Sequence, residues 1–370
     1  MPDEKRSPLI AWDHGTAWDF FASLFVIFTP GDYGLRASWA AGVRSRLSSG
    51  VRDTLGTLMH LEVVPVAWLH TLEEPKTARM ALEALEAMAP EGILPALAMN
   101  PRKSEPSDPF FREIAARGSW TQEERVKIEE NLRTCGGDPR KVAAEEMDAW
   151  LAAWANPREF GLSLRAGLRE FYEVFYRDEE RRIAADLDRA RARAISLADR
   201  LSPRELFEEL SQGIRDEKIL SKRALTLVPC YWCSPRIIFG DIADDEVLVM
   251  FGARPADASL IPGDTVPARL LLALEALSDP TRLSILRAII AEPLTQADIA
   301  RRLRLRPPTI SHHLQSLRIA GLVMHIESAR GPTSYGARTQ QIDQACEDLR
   351  VFLDIRIPES TRALTTAPTS

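Results

Sequence analysis

The chain has 370 residues, of which 45% are hydrophobic, and its formal net charge is −6. This length predicts two or three domains, and the hydrophobic content is ordinary for a soluble globular protein. The overall negative charge argues against a nucleic-acid-binding protein unless basic residues are concentrated in one region.

The first ten residues carry several charges and lack the apolar core of a signal peptide. The longest early apolar run, Phe20 to Phe28, is too short to span a bilayer. These features predict a cytoplasmic protein without membrane association, in which the four cysteines are reduced thiols.

Helical spacing of apolar residues dominates residues 9–100. Thr16 is a predicted N-cap for an aromatic-rich helix, which ends before a turn at 30–34. A second apolar stripe runs from Trp39 to Leu61, and a short helix is predicted from Ala81 to Ala89.

Longer helices follow a loop rich in proline and serine at 101–109. Thr121 to Glu124 match a capping box, which opens a helix predicted to end near Cys135 to Gly137. Asp138 and Pro139 begin the next predicted helix. A long charged helix is then predicted from about Leu162 to Leu201.

The pattern changes to short β-rich runs near residues 220–252. We predict a small antiparallel sheet of three strands there, at Ala224 to Val228, Arg236 to Phe239 and Val247 to Phe251. Residues 1–253 are therefore predicted to form a mainly helical sensor or dimerisation domain with a small antiparallel β element, and residues 254–265 a linker.

Cys230 and Cys233 have CxxC spacing, which metal and redox sites share. An extended segment would point the two thiols to opposite faces, whereas a turn would bring them together. Without a second cysteine pair for a four-thiolate zinc site, two small packed thiols are the favoured interpretation.

An aspartate and three histidines in the first part of the chain belong to no recognised catalytic motif: Asp13, His14, His60 and His70. The eight tryptophans, mostly N-terminal, fit either a core or an apolar ligand pocket.

The C-terminal part shows two short helical patterns joined by a basic turn. Thr295 is a predicted N-cap of the first helix, and residues 304–306 form the predicted turn. In the second helix, Ile310 and Leu314 share an apolar side, which leaves short polar side chains on the other faces. A DNA major groove admits such a helix, so we predict a helix-turn-helix with Pro308 to Ala320 as its recognition helix.

Leu277 to Leu286, Pro308 to Leu314 and Ala320 to Val323 resemble the ArsR family of winged-helix repressors. The resemblance covers about residues 266–354, with weaker similarity to the helical N-terminal domain of large regulators of this type. It implies a winged helix-turn-helix domain with a wing tip at 328–333 and a homodimer built from the first and last helices of that domain.

Metal-sensing members of that family use a cysteine pair on the first helix of the motif, or histidine and carboxylate ligands on the closing helix. Thr295 and Ala297 occupy the two cysteine positions here. The closing helix, predicted at 340–353, offers Asp343, Cys346 and Glu347 but no histidine. We therefore predict no metal and no other cofactor.

Arginines are concentrated around this motif. Residues 294–338 contain seven arginines, one aspartate and one glutamate, which gives a local charge of +5. The net charge of the chain is −6, so the remaining residues carry −11.

His313 is expected to be packed or to touch phosphate, and Arg282 fits a phosphate contact and a helix-end anchor equally well. Base and phosphate contacts are predicted for residues of the recognition helix, its preceding turn and the wing: Arg304, Arg306, Pro308, Thr309, Ser311, His312, Gln315, Arg318 and Arg330.

These patterns predict a mainly α protein: a helical N-terminal domain with a small antiparallel β element, a winged helix-turn-helix domain at 266–354 and a flexible tail at 355–370. The predicted function is a DNA-binding transcriptional regulator, a repressor that binds a palindromic operator in double-stranded DNA as a homodimer and responds to a small apolar effector. No enzymatic activity is predicted, because the chain lacks HExxH, GxSxG, P-loop and dinucleotide-binding motifs. The alternative is an enzyme or small-molecule-binding protein whose winged helix contacts another protein.

Overall fold

The computed structural model describes residues 7–33, 35–59, 64–100, 102, 108–134, 144–234, 236–255, 258, 266–327 and 332–353. The chain divides into two compact units. The N-terminal unit comprises residues 1–211 and 217–254, and the C-terminal unit comprises residues 212–216 and 255–370. The short segment 212–216 therefore belongs to the C-terminal unit although it lies between two stretches of the N-terminal unit.

Helices make up most of the N-terminal unit, which confirms the predicted mainly α fold. A π-helical turn at Tyr172–Tyr176 joins two of them into the long charged helix that the sequence predicted. The helices are α1 Thr16–Phe28, α2 Ala37–Arg44, α3 Ser49–Met59, α4 Val66–Thr71, α5 Ala78–Ala87, α6 Pro90–Ala98, α7 Asp108–Arg117, α8 Gln122–Thr134, α9 Ala144–Ala155, α10 Pro157–Phe171, α11 Arg177–Ala198, α12 Pro203–Leu210 and α13 Glu217–Leu220.

Helix α1 lies in the core of this unit, with Trp18, Phe20 and Leu24 fully buried. The helix is confirmed, but its N-cap is Gly15 and not Thr16. Gly15 has a φ of +135°, and a Cβ there would lie 2.3 Å from the carbonyl oxygen of Lys76, so only glycine fits this approach. The Thr16 hydroxyl instead donates to the carboxylate of Glu180.

The capping box at the start of α8 is also confirmed. The Glu124 carboxylate accepts from the Thr121 backbone N–H at 2.8 Å, and the Thr121 hydroxyl accepts from the Glu124 N–H at 3.3 Å. The two helix boundaries predicted at Cys135 to Gly137 and at Asp138 to Pro139 lie outside the described residues.

In the part of the chain that the structure describes, eight strands form two sheets of four, one in each unit. The order is β1-β3-β5-β4 in the N-terminal sheet and β2-β7-β8-β6 in the C-terminal sheet. The strands are β1 Leu9–Trp12, β2 Arg215–Asp216, β3 Ala224–Cys230, β4 Ile238–Ala243, β5 Glu246–Gly252, β6 Leu294–Thr295, β7 Val323–Glu327 and β8 Ser334–Ala337.

The N-terminal sheet is mixed, which corrects the wholly antiparallel pairing that the sequence predicted. Only the β4–β5 hairpin is antiparallel, whereas β3 lies parallel to both β1 and β5. A parallel pair needs a crossover connection, and here the hairpin strand β4 lies within the crossover from β3 to β5. Because β3 has a parallel neighbour on each side, its residues 225–230 are all buried.

The C-terminal unit contains the predicted helices and hairpin of a winged helix-turn-helix. Its helices are α14 Ala268–Leu277, α15 Pro280–Ala291, α16 Gln296–Leu303, α17 Pro307–Ile319 and α18 Thr339–Phe352. Their apolar faces meet in one core around Ile285, Ile299 and Leu314. Strand β2 adds to the edge of the β7–β8 hairpin in parallel register, with Arg215 opposite Ile326. No pattern in the sequence predicts this pairing.

Among the described residues, no helix is both long enough and apolar enough to cross a lipid bilayer.

Candidate nucleic-acid interface

Helix α16 begins and ends as its sequence predicts. The Thr295 hydroxyl accepts a hydrogen bond from the Asp298 backbone N–H at 3.2 Å and donates to the Asp298 carboxylate at 2.6 Å. At the other end, Arg304 has a φ of 56°, in the left-handed region. The backbone N–H of Leu305 then donates to the Ala300 carbonyl at 3.0 Å. This left-handed residue sets the sharp turn that leads into α17.

Helix α17 begins at Pro307, one residue before the predicted start. Proline suits the first helical position because its missing N–H would have no partner there. Gln296 on α16 donates its side-chain amide to the Pro307 carbonyl at 2.8 Å. The two helices of the motif are thus held together at the point where α17 starts.

The two sides of α17 differ in burial as predicted. Ile310, Leu314 and Leu317 are buried in the core of the C-terminal unit. The other side carries five exposed residues, which we call the polar face: Pro308, Thr309, Ser311, His312 and Gln315. Apart from Pro308, these side chains have the hydrogen-bond donors and acceptors that base edges in the major groove require.

The predicted phosphate-contacting arginines differ in their surroundings. Arg304 and Arg306 are exposed beside the start of α17. Arg318 is half-buried, and its charge adds to burial in lowering the pKa of His325 on β7 to about 4, an effect that Asp216 partly opposes. Arg330 at the wing tip lies outside the described residues.

His313 faces the protein and not the polar face. Its side chain is 16% exposed, and its Nδ1 lies 3.9 Å from the Asp279 carboxylate. Asp279 is the N-cap of α15 and accepts from the Arg282 backbone N–H at 2.8 Å, and this bond is the main reason that its pKa lies below the usual value. The packed alternative for His313 therefore fits the structure.

Arg282 anchors a helix end. Its Nε donates to the Ala276 carbonyl at 3.0 Å and its Nη2 to the Glu275 carbonyl at 2.7 Å. Both carbonyls lie in the last turn of α14, where the helix itself supplies no donor. Of the two interpretations that the sequence left equal, the structure favours the anchor.

We expect Arg282→Met to lower the stability of the C-terminal unit by about 1–3 kcal/mol, because hydrogen bonds from a charged donor to two helix-end carbonyls are lost. The salt dependence of DNA binding should stay the same. Hydrogen exchange of the α14 and α15 amides measures the first effect, and binding titrations at several salt concentrations measure the second. A flatter salt slope with unchanged exchange would instead show a phosphate contact.

No group of three or more histidine, cysteine, aspartate or glutamate side chains is arranged to hold a metal ion within the described part of the chain. Thr295 serves as a helix cap and Ala297 is exposed on α16.

The Cys230–Cys233 segment departs from the extended form. Cys230 ends β3 and a turn follows, so the Cys233 backbone N–H lies 3.3 Å from the Cys230 sulfur. Both thiols are buried, and burial raises the pKa of Cys230 well above its usual value. The turn is held by Asp19 of α1, whose carboxylate accepts from the N–H groups of Tyr231 at 2.7 Å and Trp232 at 2.9 Å.

Two of the histidines considered from the sequence lie near Asp13. The Asp13 carboxylate is 2.5 Å from the Lys76 ammonium and 3.3 Å from the Nδ1 atom of His70, and it accepts from the His14 N–H at 2.7 Å. This buried ion pair fixes the carboxyl end of β1. The sequence did not predict the Lys76 partnership, because 63 residues separate the two side chains. His60 lies outside the described residues.

In a comparison with protein-family models, residues 277–326 match a helix-turn-helix domain. The match takes in α15, α16 and α17 and ends in β7. No curated protein matches the chain. The C-terminal unit thus carries a helix-turn-helix domain of the kind found in DNA-binding regulators.

Proposed function

We propose that this chain is a transcriptional repressor of the ArsR type, which binds a palindromic operator as a homodimer and has no enzymatic role. The polar face of α17 carries this proposal, because five exposed residues suited to base contact lie together on a helix whose opposite side is buried. Sequence-specific binding to double-stranded DNA is the function that this arrangement supports best. A cytoplasmic location stays a prediction.

The dimer interface is proposed on α14 and α18, which pack against each other within the C-terminal unit. Arg269 of α14 donates a hydrogen bond to Gln341 of α18. At the end of α18, Val351 is 71% exposed and Phe352 is 45% exposed. The exposed apolar end of α18 and the half-buried leucines of α14 fit a symmetric contact with a second copy. Such a dimer would place two α17 helices on successive major grooves.

Fluorescence anisotropy with DNA from upstream of the chain's own coding region tests this function. We expect tight binding to one segment, at least about a thousandfold tighter than to a shuffled sequence of equal length and composition. Sedimentation should show two chains per duplex. Equal affinity for both sequences would remove the regulator proposal and favour the alternative, in which the winged helix contacts a protein.

We expect Arg304→Gln to weaken binding to all DNA sequences and to flatten the salt slope by about one unit, because the exposed guanidinium neutralises one phosphate. The same result is expected for Arg306→Gln. Arg181→Gln, at a side chain of α11 that is 76% exposed, is the control and should leave the slope unchanged. An Arg304 variant with the full slope makes no phosphate contact.

We also propose that the N-terminal unit regulates DNA binding through a small effector. Such a ligand acts only through its difference in affinity for the DNA-competent and DNA-incompetent states. Operator affinity of the full chain across a metabolite panel tests this. The full chain is needed, because a fragment that begins after residue 254 would lack β2. If no metabolite changes the affinity, the rival view stands, in which this unit only enlarges the dimer.

A further inference from the structure

The three parallel strands of the N-terminal sheet end at one edge. Their order is β1-β3-β5, so the residues that follow their carboxyl ends are neighbours in space. Asp13 follows β1, the Tyr231–Cys233 turn follows β3, and Arg254 follows β5 by two residues. In sheets with parallel strands, ligands bind beyond the carboxyl ends of the strands.

Arg254 is a half-buried cation at this edge, and no carboxylate of the described residues pairs with it. Its Nη1 is buried and has no hydrogen-bond partner, and its Nη2 makes only a long hydrogen bond of 3.4 Å to the Ser234 carbonyl. Burial and the nearby Arg182 charge both act against the charged form, and the pKa of Arg254 falls to about 10.

Arg182, whose charge lies near Arg254, differs from it because its guanidinium is paired with a carboxylate. Arg182 of α11 donates to both carboxylate oxygens of Glu179, with its Nε at 3.1 and 3.2 Å. It also donates to the Tyr231 hydroxyl at 2.9 Å and lies 4.8 Å from the centre of that ring. Glu179 is therefore committed to Arg182, and Arg254 keeps an uncompensated charge.

An unpaired charge held away from water is unfavourable, and a bound anion removes that cost. We propose that Arg254 binds the carboxylate of a small organic acid at the carboxyl edge of the N-terminal sheet. A guanidinium matches a carboxylate with two parallel hydrogen bonds.

The turn next to Ser234 also carries an aromatic side chain. Trp232 stacks on Trp39 with ring centres 6.0 Å apart and meets Phe175 edge-on at 5.5 Å. The Trp232 indole Nε1 is a second buried donor without a partner at the same turn. Trp232 is fully buried, so only the carboxylate of the acid is assigned, and benzoate serves as a simple carboxylate probe.

This ligand assignment deepens the proposed effector response, and only its link to DNA binding rests on the proposed function. Arg254 is the last residue of the N-terminal unit, directly before the chain continues into the C-terminal unit. An anion bound to Arg254 would hold this residue, and the connecting segment begins directly after it. Ligand binding itself is measured without DNA, so it fails or succeeds independently of operator recognition.

Calorimetry and thermal unfolding of the full chain with sodium benzoate test the proposal, with benzamide as the uncharged probe and inorganic phosphate as the competing anion. Arg254→Met removes the charge and keeps much of the side-chain length. Arg193→Met, at an α11 side chain that is 72% exposed, is the matched control. All titrations are made at one chloride concentration.

We expect benzoate to bind and to raise Tm in the wild-type chain and in Arg193→Met, and benzamide to do neither. Arg254→Met should bind benzoate at least about tenfold more weakly, since one charge-assisted contact is lost. Without ligand its Tm should equal or exceed that of the wild type, because no unpaired charge is buried. The assignment is overturned if the wild type and Arg254→Met bind benzoate equally, or if benzamide acts on the wild type as benzoate does. It is also overturned if only phosphate stabilises the wild type, or if Arg254→Met without ligand has a lower Tm than the wild type.

Discussion

His312→Ala combined with Gln315→Ala is expected to reduce operator preference strongly while non-specific DNA binding persists. Both side chains are exposed on the polar face of α17. Each lost base contact costs about 1–3 kcal/mol, so the pair should weaken operator binding by at least about thirtyfold. The affinity for a shuffled duplex should change little, because phosphate contacts by Arg304 and Arg306 remain.

The measurement is a pair of anisotropy titrations, one with the operator and one with the shuffled duplex. Gln122→Ala is the matched control, since this glutamine is also exposed but lies on α8 of the N-terminal unit. It should bind as the wild type does. If the double variant keeps the operator preference of the wild type, His312 and Gln315 do not contact bases.

Leu314→Ala is expected to have the largest effect on stability, a loss of about 2–5 kcal/mol from the C-terminal unit. Leu314 is 2% exposed and lies in the core with Ile310 and Leu317. Truncation leaves a cavity where α17 packs, and the polar face then loses its fixed orientation. DNA binding should fall together with stability.

Tryptophan fluorescence cannot follow this loss, because all eight tryptophans lie at or before Trp232, in the N-terminal unit. Hydrogen exchange of the α15 to α17 amides measures it instead. Ser311→Ala is the control on the exposed side of the same helix and should change stability by no more than about 0.5 kcal/mol. Similar exchange in Leu314→Ala and Ser311→Ala would contradict the two-sided description of α17.

The C-terminal helices could be predicted because each carries local information. Thr295 and Asp279 are caps, Pro307 marks a first turn, and the apolar spacing of Ile310, Leu314 and Leu317 sets the buried side. Such signals act within a few residues. The polar face follows directly from them, since the residues that are not buried must lie on the remaining side of the helix.

Strands β1 and β2 escaped prediction because their pairing depends on distant parts of the chain. Leu9 of β1 pairs with Ala224, and Arg215 of β2 pairs with Ile326. Strands of four and two residues are too short for a periodic pattern to show. The parallel direction of β3 and β5 is likewise invisible in their composition, because buried strands of either direction are rich in Val, Leu and Phe.

The role proposed for Arg254 could not be anticipated either. In the sequence it stands at the start of a linker, where an arginine is ordinarily solvated. Its role depends on the burial of its Nη1 atom and on the pairing of Glu179 with Arg182. Both are features of the tertiary structure. The turn at Cys230 to Cys233 depends in the same way on Asp19, which lies 211 residues before Cys230.

A photo-crosslinking amino acid placed at position 312, with one at position 340 as the control, tests most directly whether the polar face of α17 contacts DNA. With the chain bound to its operator, we expect crosslinks from position 312 to bases in the major groove of each half-site, and none from position 340. Crosslinks of equal yield from both positions, or none from position 312 while the DNA remains bound, would contradict DNA recognition by this helix.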